Sequence, residues 1–266
     1  MVNQKTVERL EVAVKTPAGL LTTPVEVPTG FVPVTAIVPL MRRIGEQAEA
    51  LEERKSIAAG EAISCKKGCA ACCRMLVPVS APEAFALRDM IAKMPAERRQ
   101  ATVMNVAAAG SRLERAGLLA RLTEIAETSR QLSDEEMEPI NRDYYALRMP
   151  CPFLENEVCS IYEDRPAACR ELLVTSPAEL CQDMVNNPVR PLPVPVRMST
   201  VLGLLWSELS GGPARLIPLP VALDWAERHA TEGARTWKGT SLFESALDKV
   251  WRFLSKNSEQ QTASSE

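Results

Sequence analysis

Four cysteines fall within the nine residues CKKGCAACC at positions 65–73. The other four cysteines of the chain all lie between residues 151 and 181. The first group is Cys65, Cys69, Cys72 and Cys73, and the second is Cys151, Cys159, Cys169 and Cys181. Cysteines that serve only as small core residues would be scattered along the chain. Two dense groups instead require loops that bring several sulfur atoms together, and this constrains the fold more than any other feature.

Cysteine content and the expected compartment favour metal ligation over disulfide bonds. The chain has 8 cysteines in 266 residues, well below the density of small disulfide scaffolds. The start, MVNQKTVERLEVAV, has no apolar run followed by a cleavage site, so no secretory signal is predicted. The expected location is the cytoplasm, where thiols stay reduced. We therefore predict a metal site.

Composition also limits the classes of partner that the chain is expected to bind. Apolar content of 46% and charged content of 24% are ordinary for a soluble globular protein. A net charge of −3 gives no electrostatic footprint for nucleic acid or anionic lipid. No segment approaches the ~20 apolar residues of a membrane span. We expect neither nucleic acid nor a membrane as a partner.

The pattern along the chain predicts a mostly α fold with a small N-terminal β-ribbon and cysteine-rich metal-binding loops between helices. Residues 7–34 alternate apolar and polar side chains around the turn sequences TPAG and PTG, which indicates paired strands. Residues 39–60 repeat apolar side chains at helical spacing and end at Gly60. Two capping boxes predict further helix starts, and they are Ser80 with Glu83 and Ser133 with Glu136.

The other predicted helices flank the second cysteine group. One long helical stretch covers about 96–130, and a short helix containing Cys181 begins after Ser176, with Glu179 as its box partner. The segment NNPVRPLPVPVR is a polyproline-like connector. Two helices, one near 220–231 and one from Ser241, close the chain.

Four segments describe the predicted domain organisation. They are a β-ribbon and helix leading into the cluster (1–64), a cysteine-cluster domain (65–185) with a helical excursion at 80–148, a Pro-rich connector with C-terminal helices that pack on the same domain (186–256), and a disordered tail (257–266). No internal repeat is visible.

The spacing of the cysteines favours an iron–sulfur cluster and leaves zinc open. A structural zinc site usually takes two close pairs of cysteines, whereas C-x3-C-x2-C-C places three or four ligands in one loop. Three cysteines from one loop plus a distant fourth are typical of iron–sulfur ligation. Eight thiolates can equally fill two four-thiolate zinc sites. We favour an iron–sulfur cluster of the [4Fe–4S] type and keep zinc as the alternative.

Cationic residues accompany both cysteine groups. They are Lys66, Lys67, Arg74, Arg148, Arg165 and Arg170. Cationic neighbours lower the pKa of a thiol and offset the negative charge of a multi-thiolate site. Arg165 and Arg170 lie inside the second group, and we predict that at least one supports the thiolates, or a nearby backbone carbonyl, by hydrogen bonds or charge. The single histidine, His229, lies far from both groups and is not a predicted ligand.

The combined pattern CKKGCAACC, CPFLENEVCSIYEDRPAACR and a late Cys181 resembles the YkgJ-type cysteine-cluster family. Its members are described as zinc- or iron-chelating proteins and include the flagellin lysine N-methylases. The resemblance covers about 65–80 and 149–185, with all eight cysteines in order and the pairs Arg165–Pro166 and Cys169–Arg170. It implies a metal site at these cysteines and leaves both the metal and the activity open.

An iron–sulfur enzyme, such as a protein-lysine N-methyltransferase, is one functional hypothesis. The spacing C-x3-C-x2-C at Cys65, Cys69 and Cys72 is also found in radical S-adenosylmethionine enzymes. Against this hypothesis, those enzymes form a strand-rich α/β barrel, whereas a helix precedes the loop here. No G-x-G-x-x-G loop of a Rossmann-type methyltransferase is present either.

Other classes compete with the enzyme. A non-enzymatic metal-binding module fits the absence of an evident acid–base pair, because the acidic residues near the second group are interpreted as surface charges. They are Glu155, Glu157, Glu163 and Asp164. An electron-transfer or oxidoreductase component with a redox partner is a third class. Thioredoxin-like exchange is disfavoured because no βαβ unit surrounds the CxxC. We predict a cytoplasmic metal-binding protein whose enzyme status, substrate and oligomeric state stay open.

Overall fold

The computed structural model describes residues 6–130 and 132–263, with side chains as far as residue 255. In this part of the chain the α-helices are α1 (Val38–Ala58), α2 (Ala81–Ala92), α3 (Ala96–Arg115), α4 (Leu119–Glu127), α5 (Asp134–Ala146), α6 (Ala167–Arg170), α7 (Met198–Ser210), α8 (Leu219–Arg228), α9 (Ala230–Gly233) and α10 (Gly239–Ala263). The strands are β1 (Val7–Thr16), β2 (Gly19–Pro28), β3 (Phe31–Pro33), β4 (Pro78–Ser80), β5 (Leu154–Glu155), β6 (Val158–Cys159), β7 (Leu216–Pro218) and β8 (Thr236–Lys238). The predicted fold class is confirmed.

The N-terminal ribbon is the antiparallel pair β1–β2, in register from Val7 opposite Pro28 to Thr16 opposite Gly19. Its side chains alternate between the two faces, and the buried face packs against α1 and α10. The sequence pattern predicted that all of 7–34 belongs to this ribbon. In the structure β3 leaves it and pairs with β8. Gly239, directly after β8, permits a close approach to Pro28, because a Cβ there would stand 2.1 Å from the Pro28 carbonyl oxygen.

Helix α2 forms the centre of the core, where it packs against α7 and α8. Its Phe85 is fully buried, with ring centroids 5.3 Å from those of both Trp206 and Trp225. Helix α7 was not predicted, although an apolar run followed by Gly211 indicates a helix there. Gly211 adopts φ 73°, the left-handed conformation that commonly ends helices.

The capping boxes predicted at Ser80 and at Ser133 are confirmed at the starts of α2 and α5. At α5, the Glu136 backbone N–H donates to the Ser133 hydroxyl at 3.3 Å, and the Ser133 N–H donates to the Glu136 carboxylate at 2.9 Å. At α2, the Ser80 N–H and hydroxyl both donate to one Glu83 oxygen, at 3.1 and 2.8 Å. The α5 box is exposed and the α2 box is buried.

Two of the predicted helices in the middle of the chain differ from those observed. The stretch 96–130 is two helices, because Gly117 at φ 71° reverses the chain between α3 and α4. The segment containing Cys181 is a 3-10 helix (Ala178–Asp183) without a side-chain cap. The Ser176 hydroxyl instead accepts the Arg190 N–H at 3.2 Å, which ties the connector to the second cysteine group.

The last helix also differs from its prediction. Helix α10 begins at Gly239, before the predicted start at Ser241, and continues to Ala263. Most of the tail predicted to be disordered is therefore helical, and 264–266 lie outside the described residues. No helix in the described part of the chain is long and apolar enough to cross a membrane.

Candidate metal centre

The first cysteine group folds as a chain of tight turns. The Cys69 N–H donates to the Lys66 carbonyl at 2.9 Å, and Gly68 between them adopts φ 92°, which favours glycine. A 3-10 turn over Ala71–Arg74 follows, in which the Cys73 N–H bonds the Ala70 carbonyl at 3.1 Å. These turns keep four thiols within one compact loop.

A backbone hydrogen bond joins the two cysteine groups. The Cys151 N–H donates to the carbonyl of Cys73 at 2.8 Å, although 77 residues lie between them in sequence. Residues 154–159 then form the hairpin β5–β6, whose turn residues Asn156 and Glu157 both have positive φ. The hairpin returns the chain so that Cys159 pairs with Leu154 near Cys151.

Cys169 reaches the site on the short helix α6, and Glu83 fixes the start of that helix. The Ala167 N–H at its first residue donates to Glu83 at 2.7 Å. The carboxylate of the α2 capping box therefore also caps α6, and a buried residue of the core sets the position of Cys169.

Seven of the eight cysteines line a single cavity of about 190 Å³. They are Cys65, Cys69, Cys72, Cys73, Cys151, Cys159 and Cys169. Most of the other lining side chains are apolar, among them Met75, Phe153 and Ile161. Cys181 does not line this cavity, and it is buried beside it in a small apolar cluster with Ala71, Val174 and Cys65. Tertiary structure thus brings both groups to one place, and Cys65 packs against the small cluster that contains Cys181.

The surroundings disfavour the free thiolate form of these cysteines. A hydrogen bond with Cys73, together with burial, raises the pKa of Cys72. Burial raises the pKa of Cys151 to about 12 and that of Cys169 well above its usual range. Burial also raises the pKa of each of three further thiols, those of Cys65, Cys159 and Cys181. Since the thiolate is the nucleophile and the metal ligand, these thiols are poor free nucleophiles and release protons when a metal binds.

Arg165 faces the cavity from the second group. Its guanidinium lies over the Tyr162 ring at 4.2 Å, and its buried Nε has no hydrogen-bond partner among the described residues. Its charge acts to lower the pKa of Cys72 and of Cys159. A buried N–H without a protein acceptor beside several thiols is suited to a thiolate or to a cluster-bound sulfur.

Arg170 points away from the cavity. It donates to the backbone carbonyls of Glu163 and Arg165 and forms an ion pair with Glu46 on α1. Arg170 therefore holds the loop that carries Arg165. The acidic residues of this region are exposed, and they are Glu155, Glu157, Glu163 and Asp164. The ring of His229 stacks on that of Trp225, with 4.2 Å between the ring centroids, and the imidazole forms hydrogen bonds with Glu127 and Glu232.

Buried carboxylates on α1 and next to α6 were missed by the sequence analysis. Glu49 is 6% exposed, and burial, with the neighbouring Glu171 carboxylate, raises its pKa to about 8. Burial raises the pKa of Glu171 itself to about 7, although it accepts the Met198 N–H at 2.6 Å. The helical pattern of α1 predicted only its apolar face. Acidic residues next to that face could have indicated buried carboxylates.

Glu49 should make the stability of the protein depend on pH. Its folded pKa lies above the unfolded value of 4.5, so its stabilising contribution is complete below pH 4.5 and is lost as the pH rises towards 8. Glu49→Gln, which stays neutral, is expected to raise the free energy of unfolding at pH 8 by about 2–4 kcal/mol and to change it little at pH 4. Urea unfolding at both pH values measures this.

The exposed Glu114 on α3 offers the matched control for Glu49. Glu114→Gln should change the free energy of unfolding by less than about 0.5 kcal/mol at either pH. Equal effects of the two substitutions at pH 8 would show that burial of Glu49 does not set the pH dependence.

The side chains around the cavity fit a metal group that several cysteine sulfurs would surround. Thiols, an unpartnered guanidinium N–H and apolar walls meet at the cavity. Among the residues that the structure describes, no three His, Cys, Asp or Glu side chains are grouped so that they could hold a single metal ion. Seven of the cysteines instead line the cavity.

Comparisons with known proteins agree with this site. Residues 64–184 match the model of the CxxCxxCC family, described as "Putative zinc- or iron-chelating domain". The matched range contains all eight cysteines and ends after Cys181. Searches of curated proteins and of solved structures found no match to the chain. Residues 64–184 are thus similar to the CxxCxxCC family, and the predicted resemblance to a cysteine-cluster family is confirmed.

Proposed function

We propose that the protein holds an iron–sulfur cluster of the [4Fe–4S] type through thiolates of its two cysteine groups. The observation that carries this proposal is the cavity of about 190 Å³ lined by seven cysteines. The cluster would supply redox chemistry or a structural link, and the cysteines would hold it. Arg165 would stabilise the negative charge of the thiolates.

The size of the cavity supports a cluster over a single zinc ion. Four sulfurs bound to one zinc at about 2.3 Å stand roughly 3.8 Å apart, and they leave no space between them. The cavity of about 190 Å³ has room for several atoms between the cysteines that line it. In an iron–sulfur cluster the thiolates bind the outside of several iron and sulfide atoms and are therefore further apart. Zinc bound by four thiolates at each of two sites is the alternative.

The lining of the cavity also bears on what a cluster would do. Among the described residues that line it there is no Asp, Glu or His, which are the usual acid–base groups. This supports electron transfer, metal handling or a structural role over acid–base catalysis. An iron–sulfur enzyme such as a protein-lysine N-methyltransferase stays a second hypothesis, because such an enzyme needs the same cluster and a further substrate site.

Metal and sulfide analysis of anaerobically purified protein tests the proposal. We expect iron together with acid-labile sulfide, and a thiolate-to-iron absorption that bleaches on reduction. The double variant Cys151→Ser/Cys169→Ser gives the background of adventitious metal. About two zinc ions per chain without sulfide would establish the zinc alternative. Metal no higher than in the double variant would refute a metal centre.

A further inference from the structure

The arginine cavity, named for Arg197 and Arg215 in its lining, lies beside the metal centre. Its volume is about 460 Å³, and its walls come from the β4–β7 pair, α5 and the first turn of α7. Leu76 and Pro78 line both this cavity and the cysteine cavity. Small-molecule sites in proteins commonly have volumes of about 300–1,000 Å³. The arginine cavity is therefore large enough for a small organic molecule, which would bind next to the metal centre.

Positive charge predominates in the lining of the arginine cavity. Four of the described residues that line it are charged, and they are Arg130, Arg197, Arg215 and the exposed Asp134. Glu136 already accepts two hydrogen bonds from Arg130, at 2.6 and 2.9 Å. The side chain of Arg197, just before α7, forms no hydrogen bond or ion pair with the residues that the structure describes. The guanidinium of Arg197 is therefore available to a ligand.

Arg215 is held in place by one arm of its guanidinium. Its side chain is 16% exposed, and its Nη1 donates to the Ala126 carbonyl at 2.9 Å and lies 3.7 Å from Glu127. Glu127 also pairs with Arg228 at 3.0 Å, so it offsets the charge of Arg215 only in part. Nε and Nη2 of Arg215 form no hydrogen bond with the described residues. A guanidinium that is fixed at one arm loses little further side-chain entropy when its other N–H groups bind a ligand.

We propose that the arginine cavity binds a small organic anion, whose carboxylate or phosphate group bonds Arg197 and Arg215 and whose apolar part lies against Leu76. Guanidinium groups bind carboxylates and phosphates through paired N–H groups, and such charged hydrogen bonds are among the stronger ones in proteins. The amide of Asn141 and the hydroxyl of Thr200 also line the cavity and offer neutral donors to further ligand oxygens. Protein groups alone form this site, so the inference goes beyond the proposed function and does not depend on the metal.

Isothermal titration calorimetry of the full chain with phenyl phosphate, benzoate and the neutral compound benzyl alcohol tests the site. We expect saturable binding of at least one of the two anions and no measurable binding of benzyl alcohol. The anion that binds more tightly identifies whether the cavity prefers a phosphate or a carboxylate. Arg197→Gln should weaken its binding about 10–100-fold, because a hydrogen bond between charged groups is lost. Saturable binding of neither anion, or equal binding of benzyl alcohol, overturns the proposal.

Two further variants separate this site from general charge attraction. Arg43→Gln removes the same charge at an exposed residue of α1 that does not line the cavity, and it should bind the anion as the wild type does. Ala214→Trp keeps every arginine and fills the cavity from its lining, so it should abolish binding. Equal weakening by Arg43→Gln and Arg197→Gln, or unchanged binding in Ala214→Trp, overturns the proposal. A chain without metal that still binds the anion refutes the proposed function alone.

Discussion

Replacing Cys169 with Ser is expected to remove most of the bound metal and to lower the melting temperature of the protein by about 10 °C. The side chain of Cys169 lines the cavity from α6, whose first N–H is fixed by Glu83. Metal that binds only the folded state stabilises it by about 4 kcal/mol when present at 1,000 times its dissociation constant. For a chain of this size about 1 kcal/mol corresponds to 2–4 °C. Metal analysis and thermal unfolding measure both effects.

Cys181→Ser is the matched control for Cys169→Ser, because Cys181 lies beside the cavity and does not line it. We expect it to retain a larger share of the metal than Cys169→Ser. Removing the metal from the wild-type protein with a chelator should reproduce the loss of stability seen in Cys169→Ser. Full metal content in Cys169→Ser would exclude this cysteine as a ligand.

Replacing Glu83 with Ala is expected to lower the free energy of unfolding by about 3–5 kcal/mol, because it leaves a buried charge without its counter-charge. Glu83 is fully buried and accepts three hydrogen bonds, from Ser80 and from the Ala167 N–H. Its removal leaves the Arg42 charge, 3.8 Å away, without a buried counter-charge. Urea unfolding of the metal-free protein measures the loss, and metal retention should fall as well because α6 loses its cap.

Glu136 provides the control for Glu83, since both close a serine capping box at the start of a helix. The box at Glu136 is exposed and its second partner is the surface residue Arg130. Glu136→Ala should therefore lower the free energy of unfolding much less than Glu83→Ala does. A loss for Glu83→Ala as small as that for Glu136→Ala would mean that its buried network does not stabilise the fold.

The two boxes also illustrate what a local sequence pattern reveals. Both were predicted from a serine and a glutamate three residues apart, and both are present, because a capping box needs only residues of one turn. The pattern is the same for an exposed box and a buried one. It therefore gave no sign that Glu83 also bonds Ala167, which is 84 residues away.

The errors in the predicted helices and strands also arise because a local sequence pattern does not reveal burial or distant partners. Helix α7 was missed because its buried, mostly apolar sequence lacks the polar face that identifies an amphipathic helix. The break between α3 and α4 at Gly117 was missed because a single glycine is tolerated in many helices. Strand β3 was assigned to the wrong partner because strand pairing depends on residues more than 200 positions away, in β8.

The sequence by itself determined the residue types of the centre and its local supports. Eight cysteines in two groups, the turns within CKKGCAACC and the capping boxes all follow from neighbours in the chain, whose conformations local sterics and hydrogen bonds limit. Tertiary structure alone decided that Cys181 lies outside the cavity lining and that Glu83 caps the helix that carries Cys169. The physical reason is that burial and charge neighbours depend on which distant segments pack together, and the packing of α1, α2 and α6 is not encoded in the spacing of cysteines.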